Sequence, residues 1–139
     1  EGNKIGGSGA IRIFEALLSN NKLEDIGLNL AEIDETASVS FAKLIESTSS
    51  LKKISYQGNI LGSEGAEVVT KALQKNQSFT LLGFNNTKLT ASQAVRMVQS
   101  LLLHPCMESL VLLGNGYSSA EEERIRNVDF KKIVRLNTL

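Results

Sequence analysis

This chain has no tryptophan, one proline, one cysteine and no net charge, and each scarcity removes a class of protein. With a single thiol, Cys106, no internal disulfide can form, so stability must come from a packed core. Fifteen lysines and arginines balance fifteen aspartates and glutamates. That balance leaves no global field to recruit nucleic acid or an anionic membrane. No apolar run approaches the ~20 residues that span a bilayer. A reducing, cytoplasmic setting is expected, with neither nucleic acid nor membrane as partner. Aromatics make up only 5% of the chain against 42% hydrophobic residues, which predicts a core of Leu, Ile, Val and Ala. At this length one domain over 1–139 is expected.

What the chain does have is a period. An apolar triplet recurs in a constant 28-residue frame: Leu23, Ile26, Leu28; Leu51, Ile54, Tyr56; Phe79, Leu82, Phe84; Met107, Leu110, Leu112. At a hydrophobic frequency of 42%, chance fills all twelve slots about 3 times in 10⁵, or roughly once in a thousand when the phase is free. After the triplets come turns, the best matched being Asn3–Ala10 and Asn59–Ala66, and then helical patterns such as Val68, Val69, Ala72 and Leu73. Thr90 with Gln93, and Ser118 with Glu121 or Ser119 with Glu122, have the spacing of a helix-opening capping box. Helix stops read as Asn20-Asn21, Asn76-Gln77 and His104-Pro105. Such a strand cannot bury its apolar side alone, so successive strands pair in parallel with helices outside. Because helices are wider than the roughly 4.8 Å strand spacing, the strand side becomes concave.

The pattern Leu-x-x-Leu-x-Leu-x-x-Asn-x-Leu followed by Gly-x-x-Gly-Ala and a helix resembles the leucine-rich repeats of the ribonuclease-inhibitor type. The resemblance implies an α/β solenoid: a right-handed βα superhelix of about four 28-residue repeats, with parallel strands on the concave face and helices on the convex face. The expected units are a partial repeat over 1–22, repeats over 23–50, 51–78 and 79–106, and a final repeat with cap over 107–139. Glu1 opens directly onto repeat material, which predicts a piece of a longer chain. The turn asparagine that would bond backbone between repeats is present as Asn3, Asn59 and Asn115, whereas the equivalent slots hold Ala31 and Thr87, as if every second rung were missing. Past Met107 the period shortens, and Phe130 with Ile133 reads as a final strand arriving about five residues early.

Function is then sought between the inward apolar positions of the strands. Glu24 and Asp25 should stand beside Lys52 and Lys53, which reads as a solvated, pairing-supportive face. The apolar trio Leu81, Val111 and Leu113, with Asn85 and Ser109 between them, is the candidate protein-binding patch. No catalytic, cofactor or metal site is expected. One His and one Cys, His104 and Cys106, cannot build a zinc site, and no orienting group for the pair is evident. Gly6-Gly7-Ser8-Gly9 lacks the Lys-Ser or Lys-Thr ending of a phosphate loop. Asn76-Gln77-Ser78 and Asn85-Asn86-Thr87 fit the short glycosylation pattern, which arises often by chance.

The reading is a protein-interaction module, a recognition or scaffold segment using the concave face or a repeat edge. Similar repeats in ribonuclease inhibitor, NOD-like receptors, Ran GTPase-activating proteins and tropomodulins leave open an enzyme regulator or an actin-capping domain. A GTPase activator would need an exposed arginine, for which Arg96, Arg124 and Arg126 qualify by type alone. Exposed strand edges at both ends also predict weak self-association.

Overall fold

The computed structural model describes residues 2–128 and 134–135. Helices and short strands alternate: α1 (Gly6–Leu17), β1 (Asp25–Gly27), a 3-10 turn (Glu35–Ala37) running into α2 (Ser38–Ser47), β2 (Lys53–Ser55), α3 (Gly62–Lys75), β3 (Leu81–Gly83), α4 (Ala91–Leu101), β4 (Ser109–Val111), α5 (Ser119–Arg126) and β5 (Val134–Arg135). The strands form one parallel sheet in chain order. Register is set by the apolar period: Ile26 pairs with Ile54, Ile54 with Leu82 and Leu82 with Leu110. The shortened period is also real. Val134 stands opposite Leu110, so the last strand arrives short of the full period, while Phe130 and Ile133 lie outside the described residues.

Burial follows position in the stack. The triplets of β2, β3 and β4 are all buried, from 0% exposed at Ile54 to 9% at Met107. In the β1 triplet only Leu28 is buried, whereas Leu23 and Ile26 are half-exposed at the edge of the sheet, where β1 pairs only with β2 among the described residues. Sparse as they are, the aromatics are placed together: Phe14 stacks on Phe41 at 5.0 Å, Phe41 on Tyr56 at 4.7 Å, and Phe84 meets Tyr56 at 6.2 Å. This run crosses from the helix layer to the sheet and ties several units into one core.

Two kinds of turn alternate. In the turns before α1 and α3 the chain turns through glycines at positive φ, Gly2 and Gly6, then Gly58 and Gly62, and neither helix has a side-chain cap. Before α2 and α4 the positive φ falls on Leu30 and Glu32, then on Asn86 and Lys88, and a capping residue follows. Thr90 forms a full capping box with Gln93, Ser118 does so with Glu121, and Asp34 accepts from the Thr36 N–H. The choice between Ser118 and Ser119 thus falls to Ser118. Gly65 is required for packing: a Cβ there would sit 2.6 Å from the Ser38 Cβ on α2.

The asparagine rungs alternate as the sequence suggested: they join β1 to β2 and β3 to β4, whereas between the β2 and β3 units Thr87 offers no such rung, its hydroxyl donating to Phe84 O of its own unit. Asn59 is 1% exposed, and its Oδ1 accepts from the N–H groups of Ala31 and Ile33, both at 3.1 Å. Its Nδ2 donates to Leu28 O at 2.7 Å and to Tyr56 O at 3.1 Å. Asn115 does the same one unit pair later, accepting from Thr87 and Leu89 and donating to Phe84 O and Leu112 O. The backbone at Ala31 and Thr87 is therefore satisfied by the asparagine of the following unit, without any need for water. Asn76 closes the opposite end of the seam, its Nδ2 donating to Ile45 O and Thr48 O, which also occupies the nitrogen a glycan would need.

Replacing Asn59 by Ala should leave buried N–H and C=O groups of two units unpaired and lower unfolding free energy by about 3 kcal/mol in urea titrations. Gly65→Ala should cost roughly 1–3 kcal/mol by forcing α3 away from α2. A loss under about 0.5 kcal/mol at both positions would contradict this account of the seam.

Candidate protein-binding face

On the concave side the register lines up rows of side chains across the sheet. One row runs Asp25, Lys53, Leu81, Ser109, and the next runs Gly27, Ser55, Gly83, Val111. Charge therefore sits on β1 and β2, and apolar surface on β3 and β4. Asp25 stands opposite Lys53 as expected, yet the two form no ion pair, so this end of the face is solvated charge.

The candidate residues come together on β3, β4 and the turns that follow them. Leu81, Val111 and Leu113 are half-buried. Gly83 pairs with Val111 and is buried, so it adds no side chain to the apolar end of the face. Asn85 also braces the structure, since its Oδ1 accepts from the Leu113 N–H at 2.9 Å and holds the two turns together. Asn29 acts likewise nearer the start of the stack, accepting from the Gln57 N–H at 3.0 Å and from the Ser55 hydroxyl at 2.7 Å. Ser109 is buried, 6% exposed, and its hydroxyl has no hydrogen-bond partner. It thus lies beneath the face rather than on it. Sequence alone missed this, because spacing shows which way a strand residue points and not how deeply its neighbours cover it.

Other groups are placed for structure. His104 Nδ1 accepts from the Cys106 N–H at 3.3 Å, so the imidazole caps a turn and is not aimed at the thiol. Burial lowers the His104 pKa, which keeps the ring neutral near pH 7. Cys106 is exposed. Burial, with the nearby charge of Asp34 second, pushes the Tyr56 phenol above its usual range. Among the described residues no group of three or more His, Cys, Asp or Glu side chains could hold a metal ion, and no helix is long and apolar enough to cross a membrane. The arginines are dispersed. Arg126 pairs with Glu122 at 3.6 Å, Arg124 is exposed in the last turn of α5, and Arg96 lines a convex groove of about 310 Å³ between α3 and α4.

Parallel strands stacked in 28-residue register, helices on the other side and asparagine rungs at alternate seams decide the architecture. This is a leucine-rich-repeat fold of the ribonuclease-inhibitor type. No protein-family model matches the chain. Over 63 residues, 45% of this chain, it is 40% identical to Ran GTPase-activating protein 1 of Xenopus laevis, covering 11% of that protein. Over 106 residues, 76% of this chain, it is 26% identical to leiomodin-2 of Rattus norvegicus, covering 19% of it. The chain thus spans a fifth or less of these curated relatives. Among solved structures, the leucine-rich-repeat fold is similar to leiomodin-1 actin-binding site 2, with TM-score 0.69, 16% identity and coverage of 88% of this chain and 70% of that one. It is likewise similar to the tropomodulin C-terminal domain of Caenorhabditis elegans, with TM-score 0.71, 16% identity and coverage of 89% and 78%.

If the imidazole only caps a turn, His104→Ala should leave the rate of Cys106 alkylation by iodoacetamide within about twofold of the parent between pH 6 and pH 9. A tenfold slowing near neutral pH would show instead that the ring activates the thiol.

Proposed function

We propose that this chain is a protein-interaction module that binds a protein partner through its concave strand face and carries out no reaction of its own. The observation that carries the reading is the apolar end of that face. Leu81, Val111 and Leu113 remain half-exposed on a strand surface otherwise made of small, polar or charged residues, with Asn85 fixing the turns between them. Half-buried aliphatic side chains on a rigid sheet lose little conformational entropy on binding, which suits them to anchor a partner. The cytoplasm is the setting we assign to it.

Actin is the partner class with the most support. The fold likeness to leiomodin-1 actin-binding site 2 runs over 88% of this chain, and the sequence likeness to leiomodin-2 runs over 76%. The Ran GTPase-activating relative matches more closely but over less than half of the chain. Its reading as an enzyme regulator would require one of the dispersed arginines to reach a nucleotide.

Sedimentation with actin, followed by a pyrene polymerisation assay, should show saturable binding that weakens at least tenfold in Leu81→Glu and in Leu113→Glu. A tenfold loss corresponds to about 1.4 kcal/mol. The circular dichroism of both variants should match the parent, because both positions are half-exposed. Undiminished binding by both variants would remove the patch. Absence of actin binding, with acceleration of GTP hydrolysis by a Ran-type GTPase at catalytic amounts, would replace the partner and the class.

A further inference from the structure

Asn115 is the one asparagine of the chain that is followed by glycine. Asparagine is among the thermolabile residues, because the backbone nitrogen of the next residue can attack its side-chain carbonyl. Glycine, with no Cβ, leaves that approach open. In the reaction the Gly116 nitrogen bonds to Asn115 Cγ and gives up its proton, the Cγ–Nδ2 bond breaks, and ammonia departs with that proton. Water, the only co-reactant, then opens the cyclic imide to aspartate or, at its other carbonyl, to isoaspartate.

The turn leaves the nucleophile free. Gly116 is exposed at φ 77°, open space lies where a Cβ would stand, and its N–H donates to no group among the described residues. The seam holds the other reactant. Asn115 Oδ1 accepts from the Thr87 N–H at 2.9 Å and the Leu89 N–H at 3.3 Å, while Nδ2 donates to Phe84 O and Leu112 O, both at 2.9 Å. Attack requires the amide to turn its carbonyl carbon toward Gly116 and release these partners, so conversion runs through openings of the seam. The product cannot close it again. A carboxylate still accepts from Thr87 and Leu89 but has no hydrogen for Phe84 O or Leu112 O, and isoaspartate also lengthens the backbone of the turn. Asn59, the twin rung, is followed by Ile60, whose β-branched side chain hinders the same attack. The vulnerable rung is thus the one at the β3–β4 end of the stack, two residues from Leu113.

We propose that Asn115-Gly116 is a site of spontaneous deamidation, held in check by the closed seam, whose conversion irreversibly unfastens the β3 unit from the β4 unit. Weaker partner binding at Leu113 follows, a consequence that rests on the function proposed above. The seam chemistry is read without any partner.

The test ages the chain in mildly alkaline buffer, folded and in urea, and follows Asn115 by peptide mapping, with isoaspartate scored by methyltransferase labelling. The folded chain should convert at least about tenfold more slowly than the unfolded one. Asn115→Asp should raise the unfolding constant roughly tenfold or more. It should also speed amide exchange at Asn86 and Leu113, whose N–H groups bridge the same two units. Should that variant fail to fold, the aged parent carries the same exchange readout. Equal rates of conversion folded and unfolded would show that the seam does not protect the amide, and no conversion in urea would remove the site. An Asn115→Asp chain within about twofold of the parent in unfolding constant would remove the structural consequence. Failure of the chain to bind actin would leave all three results standing.

Discussion

A single carboxamide for each pair of units, fully buried at Asn59 and half-buried at Asn115, is the interaction on which this fold depends. Such short strands make few ladder bonds, and the chain must leave each strand by a turn whose N–H and C=O groups face the seam rather than another strand. Unpaired, each of those groups would cost about 1–3 kcal/mol. Asn59 satisfies two N–H groups of the preceding unit, one carbonyl of that unit and one carbonyl of its own. No other side chain of that length offers an acceptor with two lone pairs beside a donor with two hydrogens. A neighbour that slips by one residue loses all of these bonds together, so the amide fixes register as well as stability. Register then sets which side chains share a row across the concave face.

The repeating unit is in this sense a pair. Backward-reaching asparagines at 59 and 115, in turns with positive-φ glycines, alternate with forward-reaching ones at 29 and 85, in turns whose positive φ falls on other residues. The intermediate turns carry Ala31 and Thr87, whose N–H groups donate to the asparagine of the following unit, while Asn85 holds the Leu113 turn in place from the strand side.

The parts of this structure legible in the sequence are those that depend on burial at a fixed spacing. The triplets had to face inward because a parallel strand with helices behind it has one apolar side, and Leu51, Ile54, Tyr56 and their equivalents do so. Thr90 with Gln93 was legible for a local reason, since a capping box is made by residues three apart. The alternate rungs missing at Ala31 and Thr87 were legible, but not the partner of their own N–H groups, which comes from a full period later and leaves no local pattern. Asp34 was overlooked as a cap because the element it opens is only a short 3-10 turn. At the candidate site, direction was legible and depth was not. Leu81, Val111 and Leu113 are on the face as read, but Ser109 lies beneath it, because coverage depends on the size of neighbours on adjacent strands.

The same geometry argues for where along the face a partner gains most. Exposed charges such as Asp25 and Lys53 interact weakly through water, and a partner meeting them must displace well-bound solvent for a gain of at most about 1 kcal/mol. At β3 and β4 the balance reverses. Water over Leu81, Val111 and Leu113 is released at a gain of about 25 cal/mol for each Å² covered. The turns carrying Asn85 and Leu113 are already held by a hydrogen bond, so little ordering remains to be done on binding. Affinity should therefore arise at the β3–β4 end. The charged β1–β2 end would then act on orientation and encounter rate, and its contribution should fade with salt while that of the apolar end persists.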